Sequence, residues 1–386
     1  MSVFAFPPNS FVLHQEIVNQ FIADLPESIP KIMELPAETR KTLPKSSFGT
    51  GYITQDGKKV VKQLDLQHQI AKIERDNMDI NYLIESLSDE LINYHAISSL
   101  CPTYFCRLFG YHYEEQYMIL SIIMENCGSD LRTIYDDNNV PFTSTDFFIG
   151  QIINILECLH TNNYVHFDLK LENLVFDNGH IKAIDAGTLT KINNSEITQV
   201  FCRGTHSYMA PELLIRKKIN NDNNLKSTDI YSFGITCLQM LLASRIYERQ
   251  IQLFFSNPRS YVSLTDQQIA ALTDSKKSMR LVILAELKKV FGSDITIEHF
   301  FSIDITKRLT IDQIKLRFNQ RPPIINEMIS NEPISNESMG DPNSMQIGGG
   351  SRKKGSYKKG SRKRGSYKNC GYHKKSSRKN GSRKRG

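Results

Sequence analysis

The feature that most constrains this chain is a nine-residue stretch near its middle, VHFDLKLEN, at residues 165–173. His166 is followed two residues later by Asp168, and Asp168 five residues later by Asn173. A second motif, Asp-Ala-Gly, starts twelve residues after Asn173, at Asp185. Each of these residues alone would most often be a turn former. Matches at such fixed positions arise by chance in on the order of one chain in several hundred, so together they indicate a functional site.

This pattern resembles the catalytic loop and metal-binding motif of the protein kinase superfamily, and Lys170 in the Asp-Leu-Lys setting is typical of its Ser/Thr type. Phosphoryl transfer requires an acceptor hydroxyl held in line with the γ-phosphate and cations that neutralise the developing charge. The resemblance implies that Asp168 orients the hydroxyl and accepts its proton, while Lys170 contacts the γ-phosphate. It also implies ATP and Mg²⁺ as cofactors, with the metal held by Asn173 and Asp185.

A strand-like Val-Val-Lys run ending at Lys62 resembles the kinase strand whose lysine contacts the α- and β-phosphates. Two neighbouring lysines leave a solvated basic hairpin as the alternative, and only the register after the valines favours Lys62. The family pattern places an ion-pair partner on the next helix. Glu90 is favoured because of its position in an apolar helical pattern, with Glu85 and Glu74 as rivals.

The segment before that strand resembles a phosphate-covering, glycine-rich loop, although Gly49 is its one match to the three family glycines. Pro44 and Ser46 stand where the first two glycines belong, so this loop is expected to hold ATP differently. An ordinary hairpin turn is the alternative. The residues assigned here to ATP binding are Ser46, Ser47, Phe48, Gly49, Thr50 and Gly51.

An apolar run at residues 117–125, YMILSIIME, predicts a buried strand that leads into the linker between two lobes. Met124 falls at the gatekeeper position of the family, and the backbone from Glu125 to Cys127 would face adenine. A buried strand followed by a turn is the plainer interpretation, and it has the same geometry.

Residues 204–212, GTHSYMAPE, resemble the substrate-binding end of a kinase activation segment. Thr205 is assigned to substrate binding. The family pattern pairs Glu212 with Arg308, since a buried carboxylate needs a partner. Asp229 is expected to begin a strongly apolar helix.

Two positions depart from the family motifs: Phe167 replaces an arginine, and Ala186 replaces a phenylalanine. Without the arginine, no charge at this position receives an activation-loop phosphate, so activity is expected to be independent of phosphorylation there. Without the aromatic ring, the packing difference that separates the active and inactive states is expected to be unlike the one usual in the family. The alternative function is a pseudokinase scaffold, but the ionisable set required for catalysis is complete.

The resemblance covers residues 45–321 and implies an α+β, two-lobed kinase fold: a small antiparallel β-sheet lobe and a larger, mainly helical lobe. Residues 1–44 are an N-terminal extension with one amphipathic helix, expected to pack on a neighbouring domain. Residues 322–350 are predicted to be a flexible linker. Residues 351–386 form a basic Gly-Ser-Arg/Tyr-Lys repeat, predicted to be disordered.

The basic tail carries the whole positive excess of the chain. Its 36 residues hold 16 Lys/Arg and no acid, whereas the first 350 residues hold 32 basic against 41 acidic side chains. Such a tail attracts DNA, RNA or acidic proteins in a salt-dependent manner, and the acidic body argues against broad nucleic-acid binding elsewhere. A nucleic-acid-tethering protein that acts through this tail is therefore part of the alternative function.

The seven cysteines are scattered without zinc-site spacing, which favours a reducing compartment. No apolar run approaches the ~20 residues of a membrane span, and the first ten residues lack a signal-peptide pattern. We expect no membrane association and an intracellular location, in the cytoplasm or nucleus of a host cell, or in a virion. The divergent motifs joined to a basic repeat are similar to kinases of large DNA viruses of the iridovirus type.

Overall fold

The computed structural model describes residues 8–36, 43, 49–77, 79–136, 145–192, 204–214, 222–242 and 274–320, with the backbone alone at 8–11 and 274–276. The predicted linker (322–350) and basic tail (351–386) lie outside these residues. So do Ser46, Ser47 and Phe48 of the predicted phosphate loop.

The small lobe is built on a four-stranded antiparallel sheet with strand order β1-β2-β4-β3. The central strand β4 buries five consecutive residues, because both its faces are covered. The predicted strand at residues 117–125 is therefore present, starting two residues later than its pattern. In chain order the elements are α1 (Pro8–Asp24), β1 (Thr50–Ile53), β2 (Lys59–Asp65), α2 (Leu66–Arg75), α3 (Ile80–Leu100), β3 (Leu108–Glu114) and β4 (Ile119–Glu125).

Two helices, α2 and α3, occupy the region between β2 and β3. An aspartate caps the N-terminus of each helix. The Asp65 carboxylate accepts a hydrogen bond from the N–H of His68, and the Asp79 carboxylate accepts one from the N–H of Asn81. These bonds satisfy donors that a helix N-terminus leaves unpaired. Between the helices Asn77 adopts a φ of 53°, a left-handed conformation that ends a helix.

The N-terminal extension packs on the small lobe. Helix α1 contacts α3, and its Val18 and Phe21 side chains are buried in the main core. The chain then runs beside β3, where the N–H of Ile32 donates to the carbonyl of Tyr111 at 2.7 Å. The Ile32 side chain packs against the face of the sheet that carries Tyr52. The extension thus contacts α3, one edge of the sheet and the face of the sheet around Tyr52.

The larger lobe is mainly helical. Helix α5 packs against α7, and ring contacts of Phe233 with Phe291 and Phe300 fill its base. Asp229 lies inside α7 and not at its start, because the helix begins seven residues earlier, at Asp222. The elements are β5 (Ser129–Asp130), α4 (Leu131–Asp136), α5 (Thr145–Thr161), β6 (Tyr164–Val165), β7 (Leu174–Asp177), β8 (His180–Ala183), β9 (Thr190–Lys191), α6 (Pro211–Leu214), α7 (Asp222–Leu241), α8 (Asp274–Phe291), α9 (Glu298–Phe301) and α10 (Ile311–Gln320).

Among the described residues, two disulfides join cysteines that are far apart in sequence. Cys101, at the end of α3, is bonded to Cys158 of α5, and Cys106 is bonded to Cys127 after β4. A search for short cysteine motifs does not detect pairs separated by 57 and 21 residues. Within the described ranges, no helix is long and apolar enough to cross a bilayer.

Candidate active site

The loop after β6 is held by a buried carboxylate from α7. Asp229 accepts hydrogen bonds from the backbone N–H groups of His166 and Phe167, both at 2.9 Å. This holds Phe167 at a φ of 62°, which is unusual for a large side chain. The Phe167 ring is buried in a small apolar cluster with Val165 and Met209.

Asp168 lies at the centre of a polar network. Its carboxylate accepts from Lys170 Nζ at 2.5 Å and from the backbone N–H of Thr205 at 2.6 Å. Lys170 Nζ also donates to Thr205 Oγ1 at 2.6 Å. The predicted catalytic pair and the predicted substrate-binding residue are therefore in direct contact. This carboxylate is positioned to accept a proton from a hydroxyl, with a cation beside it.

Asn173 and Asp185 stand on neighbouring backbone segments, since the N–H of Ile184 donates to the carbonyl of Asn173 at 2.9 Å. The Asn173 amide nitrogen donates to the backbone carbonyl and the carboxylate of Asp168, which orients the amide. An amide oxygen and a carboxylate are ligands that Mg²⁺ accepts together with phosphate oxygens. The donor set therefore fits a nucleotide-bound Mg²⁺.

Lys62 forms an ion pair with Glu90 at 2.7 Å and lies 3.6 Å from Asp185 Oδ1. Burial alone would lower the pKa of Lys62, but the charges of Glu90 and Asp185 outweigh it and raise the pKa. Of the rival glutamates, Glu85 is exposed and Glu74 pairs with His14. The structure thus brings Glu90 to Lys62 and leaves both rivals elsewhere.

Asp185 has the opposite shift. Burial would raise its pKa, but Lys62 and Lys170 outweigh this effect and hold the pKa below 3.8. The carboxylate is therefore ionised at neutral pH and available to a cation.

The predicted adenine-facing segment follows β4. Met124 is buried, and its Sδ lies 3.9 Å from the Tyr94 hydroxyl. The Glu125 side chain accepts from Lys182 and from the backbone N–H of Arg107, so it is turned toward the protein. Cys127 is held by its disulfide to Cys106. The backbone N–H groups of Glu125 and Asn126 donate to the carbonyls of Arg107 and Lys58, so these two donors are already used within the protein.

Thr50 and Gly51 of the predicted phosphate loop belong to strand β1, in register with Gln63 and Lys62. This corrects their placement in a loop: they pair with β2 because the turn at residues 54–59 closes a hairpin. Gly49 approaches β2 so closely that a Cβ there would lie 1.9 Å from the Gln63 carbonyl oxygen. Glycine is required at that position for strand contact.

Sequence reasoning missed several contacts that position the site. Asn93 Nδ2 donates to the carbonyl of Leu189 at 3.0 Å, and Thr188 Oγ1 donates to the carbonyl of His166 at 2.7 Å. His160 Nε2 lies 3.1 Å from Asp229 Oδ2. These partners are 22 to 96 residues apart. No local pattern marks such pairs.

The profile of the protein kinase domain family matches residues 52–317. The chain belongs to the protein kinase family. The expected family and the two-lobed α+β fold are thereby confirmed.

This kinase chain is similar to proteins named as kinases, two of which carry serine/threonine-protein kinase in their names. It is 29% identical over 254 residues to Protein kinase C-like 1 of Caenorhabditis elegans, covering 62% of this chain and 34% of that protein. It is 29% identical over 277 residues to Serine/threonine-protein kinase ppk21 of Schizosaccharomyces pombe, covering 67% and 41%. Probable serine/threonine-protein kinase PLK of Dictyostelium discoideum is 36% identical over 131 residues, covering 33% and 13%. The chain thus spans less than half the length of each of these relatives.

Proposed function

We propose that this kinase transfers the γ-phosphate of ATP to Ser or Thr hydroxyls of proteins. The observation that carries the proposal is the network in which Asp168 contacts Lys170 and the backbone of Thr205. The second half of the site supports it, because Lys62, paired with Glu90, reaches Asp185. Ser/Thr acceptors are favoured by Lys170 and by the names of the relatives.

In the proposed mechanism, the Asp168 carboxylate orients the acceptor hydroxyl and takes its proton as the oxygen attacks the γ-phosphorus. The bond from this phosphorus to the β–γ bridging oxygen breaks, and ADP leaves with the electron pair. Lys170 Nζ, 2.5 Å from that carboxylate, stabilises charge on the transferred phosphoryl group. Lys62 holds the α- and β-phosphates. Asn173 and Asp185 would hold Mg²⁺, which would neutralise charge on the phosphate oxygens.

The test is transfer of labelled γ-phosphate from Mg-ATP by the purified full chain, to itself and to a basic acceptor protein. We expect Asp168→Asn to lower the rate by on the order of 10²–10⁴-fold, since it removes the proton acceptor. Asp177→Asn is the matched control, because Asp177 is an exposed carboxylate at the end of β7. Equal rates for Asp168→Asn and wild type, or no transfer by a folded wild type, would support the scaffold function instead.

We further propose that residues 351–386 bind polyanions, either nucleic acid or an acidic protein. The support is their 16 cations without a single acid. Fluorescence anisotropy with a labelled DNA or RNA oligonucleotide tests this, using the chain with and without the tail. We expect binding that depends on the tail. The logarithm of its association constant should fall linearly with the logarithm of the salt concentration. Equal binding by both forms would contradict the proposal.

A further inference from the structure

Ala186 lies between the metal-binding Asp185 and Gly187, in the place where the family motif has a phenylalanine. Its side chain is buried in the main core, with 3% exposure. A small residue at a buried, functional position requires other groups to fill and hold the surrounding space.

One face of α3 makes these contacts. Glu90, Asn93 and Tyr94 occupy positions i, i+3 and i+4 of the helix, which project on the same side. A Cβ on Gly187 would lie 3.4 Å from Glu90 Oε2, so the glycine backbone abuts this face. Asn93 Nδ2 donates to the carbonyl of Leu189 at 3.0 Å. The segment is therefore held against α3 at Gly187 and Leu189, directly after Ala186.

Tyr94 supplies the bulk on this face. It is among the largest fully buried side chains, and it belongs to the same apolar core as Ala186 and Leu189. Its hydroxyl lies 3.9 Å from Met124 Sδ, so the ring spans from α3 toward β4. Burial, and then the charges of Asp185 and Glu90, raise the pKa of Tyr94, which is consistent with its proximity to both carboxylates.

We propose that Tyr94 and Asn93 are positioning residues that hold the Asp185 segment against α3, with the Tyr94 ring occupying the volume that Ala186 leaves. This inference rests on the proposed kinase function. Because Glu90 is on the same helical face, one rigid surface sets both the Lys62–Glu90 pair and the position of Asp185. Tyr94 and Asn93 act through these residues and do not contact the reacting atoms.

The test is a volume exchange between two positions. Tyr94→Ala opens space, and Ala186→Phe alone overfills it, so each single variant should lower kcat by about tenfold. The double variant Tyr94→Ala with Ala186→Phe should recover to within about threefold of wild type, because the new ring fills the space. Ile92→Ala, at an exposed position of the same helix, should leave kcat unchanged.

A positioning role also predicts which kinetic constant changes. Asn93→Ala should lower kcat while KM for ATP stays within about twofold, since the contact aligns Asp185 and does not bind ATP. Tyr94→Leu replaces Tyr94→Ala if the latter does not fold. Additive losses in the double variant, or changes confined to KM, would overturn the inference.

The failure of this inference differs from that of the proposed function. If wild type transfers no phosphate, the kinase proposal fails. The packing of residue 94 against residue 186 can still be tested by urea denaturation of wild type, the two single variants and the double variant. A double variant more stable than the sum of its parts supports packing of residue 94 against residue 186. Strict additivity of the midpoints overturns it.

Discussion

Arg308 and Glu212 form a buried, bidentate ion pair that fixes the end of the activation segment to the large lobe. The guanidinium nitrogens lie 2.6 and 2.8 Å from the two carboxylate oxygens, and the side chains are 0% and 2% exposed. Arg308 also donates to the backbone carbonyls of Ser302 and Ser227. Every charged atom therefore has a partner, as burial requires.

Breaking this pair should be costly. Arg308→Ala leaves the Glu212 charge buried without its partner, so we expect a loss of about 3–5 kcal/mol in the free energy of unfolding. Arg317→Ala is the control, since Arg317 pairs with the exposed Asp294, and it should cost under about 1 kcal/mol. Urea denaturation measures both. Similar losses in the two variants would show that burial does not set the cost.

The Lys62–Glu90 pair should matter for catalysis. Glu90→Gln weakens a charge-assisted bond of about 1.5–3 kcal/mol, so kcat/KM for ATP should fall by about 10–150-fold. Glu85→Gln, on the exposed side of the same helix, should leave kcat/KM unchanged. Steady-state kinetics at varied ATP gives both values. A loss in Glu85→Gln as large as that in Glu90→Gln would mean that the helix, rather than the pair, was affected.

Activity should not require phosphorylation of the activation segment. Phe167 is buried and apolar where the family has an arginine, so it offers no charge to a phosphate. Ser195→Ala and Thr198→Ala should keep kcat within about twofold of wild type; both residues lie outside the described ranges. Thr205→Ala should lose activity for another reason, since Thr205 contacts Lys170. Activity lost in an alanine variant and restored by Asp would contradict this prediction.

Asp185 should stabilise the fold over a wide pH range. Because its folded pKa is depressed, its contribution is present above the unfolded value near 3.8 and is lost as pH falls through the folded pKa. The raised pKa of Lys62 keeps that partner charged until the pH exceeds 10.5. The difference in unfolding free energy between wild type and Asp185→Asn should therefore be flat from about pH 5 to 9. A change near neutral pH would indicate another titrating partner.

The Cys101–Cys158 bond should be detectable by peptide mapping of the unreduced protein. It closes a loop across 57 residues, so reduction should lower the free energy of unfolding by about 2–4 kcal/mol. The double variant Cys101→Ala with Cys158→Ala should respond less to reductant. Free thiols at both positions in purified protein would instead support the reducing compartment expected from the sequence.

The contacts among three of the candidate site residues could be predicted because these residues are close in sequence. Asp168, Lys170 and Asn173 share one loop, so their mutual geometry follows from a short backbone segment. Glu90 required a choice among three glutamates, because helical periodicity alone does not specify which turn faces Lys62. The packing of α3 against β3 and β9 sets which turn of the helix faces Lys62.

Other features depended on contacts between distant segments. The capping residues Asp65 and Asp79 mark the starts of α2 and α3, so a search for capping signals in the sequence can locate both helices. No such signal marks the bond from Asn93 to Leu189 or the disulfides. They arise from packing, which a single sequence does not encode locally.

The segment beside β3 has a further consequence. The kinase-family match begins at residue 52, yet backbone bonds between residues 30–32 and Tyr111 cover the outer edge of β3. An uncovered edge strand is a template on which strands of other molecules can add. A chain trimmed to the family boundaries would retain its catalytic residues and acquire a route to aggregation. The segment at residues 30–32 therefore protects the sheet although it lies outside the matched kinase domain.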